Sequence, residues 1–389
     1  MQFVLPSYTI LDLPDATDHD GVLRFLERVG RTCYKSEDKI TDDSAVKYLK
    51  MIRDRKHWAM LEHYIFVMEV TEKIYNDFTD PNWFSIENTD YIKKIKYINM
   101  SSAIIDGRTR YLVSGSITAF NYLHECKCFR DESNQCCGQE KVFLFLKERF
   151  PEISSTIDDN DKIAVAVGTN GIKLLTQDEI SKLTVKERML HGQMTVRYVV
   201  DRGVTHELVR HRPGSWAQES TRYCNYSKKG MTYILPLWID DKDKETILSE
   251  NTIDDMYNMF KHDMKCRTMK ESLNNLLLGM TNNEFAIETI YYLIPLFMDT
   301  YAYEKLNKGV NHPWVPQQSR AILPNSIKAE IVQTFTLDGW VHFFDMRADS
   351  AAHPQMREVV QPLLEEANEK YDGIFQDQVN NNIFKLDKE

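Results

Sequence analysis

The sequence predicts an α+β chain, and three observations carry that reading. Tyr64, Phe66, Met68 and Val70 alternate with their neighbours, Met194–Val200 does the same, and Ala329–Leu337 adds a third apolar run. A period of two marks a strand with one buried face. Elsewhere apolar residues fall three and four apart, at Leu23, Leu26 and Val29 and again at Ala45, Leu49 and Ile52, which is helical spacing. Finally, 389 residues with 42% apolar and 27% charged content suffice for a sizeable core, in one large domain or two ordinary ones.

In chain order, residues 1–56 read as an edge strand followed by those two helices. Cys33 lies in the link between them, where a cysteine is more often a small packed residue than a reactive one. Next, His57-Trp58-Ala59-Met60-Leu61-Glu62-His63 leads into the Tyr64–Val70 strand. Its two histidines lack the four-residue spacing that aims two ligands at one metal ion from a helix. From 71 to 190 come Asp- and Asn-rich breaks near 76–82 and 157–162, a strand at Arg110–Val113, a helix that Ser116 can cap and an apolar helix around Val142–Leu146. His124, Cys126, Cys128, Cys136 and Cys137 cluster there without the paired spacing of zinc ligands, so they read as free or packed thiols and no metal is expected. Further on, a helix from about Ile253 carries Met256, Tyr257 and Phe260, and another ends at Gly309. Asp338 can cap a helix bearing Trp340, Phe344 and Arg347, and an amphipathic helix runs from Pro354 through Met356, Val359, Val360, Leu363 and Leu364.

The most informative stretch runs from Asp201 to Tyr223. Val204 and Leu208 give a short helix one apolar edge, with Glu207, Arg210 and His211 on a polar face. Pro213 places the helix end near Arg212, and Gly214 permits a sharp corner. The polar residues from Ser215 to Arg222 then read as exposed backbone lined with donors, a place to hold an anion. Solvated arginines at a helix end are the plainer reading of the same charges. A nucleophilic Ser220 would need a base and an oxyanion hole, and no Gly-x-Ser-x-Gly elbow surrounds it.

Arg210-His211-Arg212, then seven residues, then Ser220, flanked by Asp201-Arg202-Gly203, His206-Glu207-Leu208 and Ser220-Thr221-Arg222-Tyr223, resembles the signature of the flavin-dependent thymidylate synthases. Three further segments agree with it in order: His57 with Glu62-His63, Ser319-Arg320-Ala321-Ile322-Leu323-Pro324 (serine where the family has alanine), and Arg347-Ala348-Asp349 with Ala352-His353-Pro354-Gln355. The resemblance implies an antiparallel sheet with flanking helices. It assigns 1–70 and 191–370 to one discontinuous domain, 71–190 to an insertion and 371–389 to a tail. It also implies conversion of deoxyuridylate (dUMP) to thymidylate with methylenetetrahydrofolate as carbon donor, NADPH as reductant and FAD as cofactor, in a homotetramer whose sites are shared between chains.

By residue, the resemblance implies dUMP contacts from Glu207, Arg210, Gln218, Glu219, Ser220, Arg222, Arg320 and Arg347. FAD contacts fall to Cys33, His57, Arg210, His211, Arg212, Gln218 and His342, and Glu62 and His63 are structural. Arg347 is the catalytic cation, since charge pushed onto the uracil ring must meet a fixed positive group. No enzyme nucleophile is implied, which leaves Ser220 a binding residue. Cys224 reads as packed, since no Pro-Cys-His occurs.

Charge and composition narrow the partners. A formal charge of −10 argues against a general nucleic-acid or membrane surface, so an anionic substrate must meet a local arginine cluster. The first residues lack the basic and apolar parts of a signal peptide. The most apolar stretch, Ile287–Met298, contains Glu288 and Pro295 and is too short to span a bilayer. Seven cysteines in no regular framework suit a reducing cytoplasm.

Overall fold

The computed structural model describes residues 1–79, 98–125, 138–155, 170–212, 214–249 and 252–386. Cys126, Cys128, Cys136 and Cys137 lie outside them, as does the side chain of His124.

Two antiparallel four-stranded sheets organise the chain. The first has the order β2 (Ser7–Ile10), β7 (Gln193–Asp201), β10 (Lys328–Thr336), β8 (Ser215–Gln218). The strands expected at 194–200 and 329–337 are its centre, paired without a break from Thr336↔Gln193 to Lys328↔Asp201. Both are buried almost throughout because both sheet faces are covered. On one face Met194, Val196 and Ile331 pack with Trp340, Phe343 and Phe344 of the helix Leu337–Arg347 and with Val359, Val360 and Leu363 of the helix Pro354–Lys370. On the other, Val332 and Ala217 join the helices His19–Thr32 and Ser44–Asp54. Each fully buried large apolar side chain contributes roughly 2 kcal/mol. Trp340 also needs a partner for its ring N–H, which donates to the Met194 carbonyl at 2.9 Å. That helix starts at Leu337 with Thr336 as N-cap, so Asp338 is not its cap; the carboxylate takes the Gly339 N–H at 2.8 Å from inside the first turn.

The second sheet has the order β4 (Ile98–Ile105), β5 (Arg108–Ser116), β3 (Ile65–Val70), β6 (Ile172–Leu174). Thus β3 is paired on both sides by strands from within 71–190, from Ile65↔Ser116 to Val70↔Tyr111 and from Met68↔Leu174 to Val70↔Ile172. Phe66 and Met68 share a core with Phe120, Phe143 and Phe150 as well as with Leu23 and Leu49. His63 links this sheet to the first: wholly buried, its Nδ1 lies 2.8 Å from Thr334 Oγ1.

A third, smaller group pairs β1 (Gln2–Val4) in parallel with β9 (Thr232–Ile234). It packs on the helices Thr252–Cys266, Met269–Asn282 and Ile287–Lys308, and Met256, Tyr257 and Phe260 are buried as their spacing predicts. The last of these helices closes on Gly309, whose N–H donates to Lys305 O at 2.7 Å. Cys224 is packed in the same core. Among the described residues no helix is long and apolar enough to cross a membrane.

Candidate functional site

Asp201 ends β7 and caps the helix Arg202–Leu208, its Oδ1 accepting the Val204 N–H at 2.8 Å while Oδ2 takes Gln355 Nε2 at 2.7 Å. The helix stops at Leu208, four residues before the expected end. The chain has already turned at Val209–Arg210, and the His211 ring is buried against Phe343 with centroids 5.0 Å apart. Pro213 lies outside the described residues. At Gly214 the backbone passes so close to β10 that a Cβ would sit 1.5 Å from a Phe335 ring carbon, so only glycine fits. Ser215–Gln218 is therefore an edge strand on β10, from Thr334↔Ser215 to Ile331↔Gln218, rather than the exposed backbone expected. The donor-lined turn begins after it. Ser220 N–H donates to Cys33 O at 3.0 Å, and the Tyr223 and Cys224 N–H groups close on Ser220 O at 3.1 and 3.0 Å.

This turn floors a cleft of ≈ 580 Å³, which brings together seven of the expected residues: Cys33, His57, Gln218, Glu219, Ser220, Arg222 and Arg320. Tyr34 links the two sides, its hydroxyl 3.0 Å from His57 Nδ1 and its ring centroid 5.4 Å from that of Tyr223. Lys56, Trp58, Glu62, Tyr122, Arg202 and Trp216 also line the cleft. Lys56, Arg202, Arg222 and Arg320 pair with no carboxylate among the described residues. Burial pushes the Glu62 carboxyl up, towards its neutral form. The cleft is therefore cationic, and its aromatic rings offer faces for a planar group.

Neither nucleophile reading gains support here. Burial pushes the Cys33 thiol up to about 12, so it stays protonated at neutral pH. The Ser220 hydroxyl accepts the Arg222 N–H at 3.4 Å, and no histidine bonds to it among the described residues.

Glu219 lines the cleft, but its side chain is turned to partners within the chain. Only 2% exposed, its carboxylate accepts the Tyr226 hydroxyl at 2.8 Å and the Glu330 N–H at 3.3 Å, and it pairs with Lys328 at 3.2 Å. Lys328 reaches on to Glu330 at 2.8 Å, and Glu330 also holds Lys35 and Arg197. Burial works against the Glu330 charge, but Lys328, Lys35 and Arg197 outweigh it and hold the carboxyl down at about 2. Glu219 fixes the turn from behind.

Glu207, His211, His342 and Arg347 form a second cluster outside the cleft lining. Arg347 donates from Nη1 to Glu207 Oε2 at 3.0 Å, from Nη2 to the Glu207 carbonyl at 2.9 Å and from Nε to His211 Nε2 at 2.7 Å. Burial first, then the nearby Arg347, His342 and Arg210, lowers the His211 pKa to about 4, so its ring is neutral and its Nε2 can accept. The His342 ring lies 5.7 Å from that of His211. Arg210 and Arg212 are exposed and do not line the cleft. Sequence reading missed Lys56, Arg202, Trp216 and Tyr122. The first three adjoin or lie within motifs already singled out, whereas Tyr122 carries no local signal.

Residues 176–371, just over half of the chain, match the family model described as thymidylate synthase complementing protein. The flavin-dependent thymidylate synthase of Corynebacterium efficiens is 26% identical over 182 residues, 46% of this chain and 58% of that one. That of Pyrococcus furiosus is 28% identical over 170 residues, 43% of this chain and 51% of its own. The match thus takes in little more than half the length of these relatives. A Helicobacter pylori flavin-dependent thymidylate synthase, solved with FAD and dUMP, aligns over 48% of this chain and 73% of that one at 16% identity, with a TM-score of 0.30. On the family match, the chain belongs to the thymidylate synthase complementing protein family.

Proposed function

We propose that the cleft binds deoxyuridylate and that the protein is a flavin-dependent thymidylate synthase, methylating dUMP with methylenetetrahydrofolate as carbon donor and NADPH as reductant through FAD. One observation carries this reading. Four cations with no carboxylate partner among the described residues gather with aromatic rings in the cleft that the signature stretch lines. Cations gathered in one cleft and wholly or partly exposed to solvent raise a local positive potential that draws an anion.

Arg222 and Arg320 would hold the nucleotide phosphate, since guanidinium groups match it bidentately. The Ser220–Arg222 turn, fastened to Cys33, would orient it. FAD is both planar and polyanionic, and the residues fit such a group. Cys33, His57 and Gln218 in the cleft would flank it, and the exposed Arg210 and Arg212 would meet its phosphates, with His211 and His342 close by. When bound, the flavin supplies the reducing electrons. Activation of the pyrimidine falls to Arg347, a fixed cation able to stabilise charge on the ring oxygens. With Cys33 protonated and no base bonded to Ser220 among the described residues, the reading calls for no covalent step at the enzyme.

Arg347 and Glu207 do not line the same cleft as Arg222 within one chain. The reading therefore includes a homotetramer in which the Arg347 cluster of one subunit meets the cleft of another. Residues 1–70 and 191–370 would supply most of each site, with 71–190 inserted between them and 371–389 trailing as a tail. Cys33, Cys224 and Cys266 form no disulfide among the described residues, and the reading keeps the protein in a reducing, cytoplasmic setting.

The test is an absorbance spectrum of the purified protein, then anaerobic NADPH with and without dUMP. A flavin band that bleaches, with dUMP altering the rate, is the expected result. A protein that cannot be loaded with FAD would overturn the proposal.

A further inference from the structure

The helix Ser44–Asp54 passes through Arg55 to Lys56, whose φ of 56° lies in the left-handed region. The Lys56 N–H donates to Arg53 O at 2.8 Å and the His57 N–H to Ile52 O at 3.0 Å. This is the paired closure at which glycine is the usual residue, because any Cβ is strained there. A non-glycine residue kept in such a conformation beside a cleft calls for a reason.

The side chain supplies one. Lys56 lines the cleft, is exposed and pairs with no carboxylate among the described residues. Lys35 offers the contrast within the same fold. It too is left-handed, with φ of 47°, just past the helix His19–Thr32, but its ammonium is engaged by Glu330, with Glu37 at 3.7 Å. Tyr34, Trp58, Tyr122, Trp216 and Tyr223 line the cleft with Lys56, and of these Trp58 lies two positions along the chain from it. Thr118 Oγ1 donates to Trp58 O at 3.2 Å, which fastens the helix Ile117–Glu125 to this wall. Tyr122 thereby reaches the cleft from the 71–190 stretch.

We propose that Lys56 is a ligand-binding residue, held by a strained backbone so that its ammonium anchors the anionic group, phosphate or carboxylate, of a planar ligand lying against Trp58 and Tyr122. The proposal rests on the function proposed above only in that such a ligand enters this cleft.

The test uses the full-length protein with Lys56→Gly and Lys56→Arg. Thermal melting is combined with calorimetric titration of dUMP, which carries a phosphate, and separately of methylenetetrahydrofolate, which carries carboxylates. Lys56→Gly relieves the backbone, so its melting midpoint should rise by about 1–3 °C. It should nevertheless bind one of the two ligands about tenfold more weakly, as expected for a lost charge-assisted contact, with the other within about twofold. Which ligand weakens identifies the anion, and Lys56→Arg should restore its affinity. A Lys56→Gly protein that melts higher yet binds both ligands as tightly as the wild type would overturn the assignment, as would one that melts lower and loses both together. A wild-type protein that binds neither ligand would instead remove the function proposed for the cleft, and the role of Lys56 with it.

Discussion

Two groups of charges stand back to back on the strand and turn Ser215–Tyr223, and they are built in opposite ways. Behind the turn, Glu219 and Glu330 are buried and matched by Lys328, Lys35, Arg197 and the Tyr226 hydroxyl. In front, Lys56, Arg202, Arg222 and Arg320 face the cleft with no carboxylate partner among the described residues. The buried group is complete within the chain, so its charges serve to fix the turn. The cleft group is incomplete, so its charges are available to a ligand. The difference teaches that, around this turn, a cation whose counter-charge is already present, such as Arg197, serves the fold, whereas one without, such as Arg222, is open to a ligand.

The largest expected effect comes from breaking the complete group. Glu330→Ala leaves Lys328, Lys35 and Arg197 crowded around an empty position, and removing one partner of a buried charge set costs roughly 3–5 kcal/mol. Urea unfolding at neutral pH should show that loss, and a change below about 1 kcal/mol would mean the network is solvated rather than buried. Next is Arg347→Ala. It should keep bound flavin yet lower turnover by about 10²–10³-fold, the usual loss of a fixed electrostatic stabiliser. Single-turnover rates with saturating dUMP check this, and an unchanged rate would return Arg347 to the plain role of tying Glu207 to His211.

Acid should act more gently, on buried histidine rings that lie outside both groups, and leave the complete group charged. His211 and His191 have pKa values lowered to about 4 and His63 to about 3, in each case with burial as the largest cause. Their folded values lie below the unfolded value near 6.5, so the unfolded chain binds more protons as pH falls. Their contribution to stability is complete above about pH 6.5 and is lost progressively towards pH 4, at no more than about 1.4 kcal/mol per pH unit for each. Glu330, held at about 2, keeps its charge across that window. Melting midpoints from pH 7 to pH 4.5 should therefore drop while the Glu330 network stays intact, and a flat profile would contradict the buried, neutral state of these rings.

How much of this could be read from the chain alone follows from which links are local. The strands at 64–70, 194–200 and 329–337 and the helices carrying Trp340 and Val359 were readable because periodicity is a local property. The partners of β3 were not, since pairing with β5 and β6 depends on residues tens of positions away. Within the site, the residues singled out from the signature stretch, Gln218, Ser220 and Arg222, lie in one cleft with Cys33, His57 and Arg320. Its internal shape was misread because nothing local shows that His211 is buried on Phe343 or that Gly214 must clear Phe335. The burial of the Glu219 side chain was not legible because its partners, Lys328 and the Tyr226 hydroxyl, lie on other elements. Lys56 passed unnoticed because its signal is a backbone angle rather than a residue pattern.

The measurement that tests the central contrast most directly is calorimetric titration of dUMP at two salt concentrations, for the wild type and for Arg222→Gln. The account predicts binding that weakens as salt rises, because the exposed cleft cations are screened. It also predicts an affinity about 10–100-fold lower in Arg222→Gln, from the loss of a charge-assisted contact, with the melting midpoint unchanged. Binding indifferent to both salt and Arg222, or an Arg222→Gln protein that simply unfolds, would contradict it, because those charges would then belong to the fold rather than to the ligand.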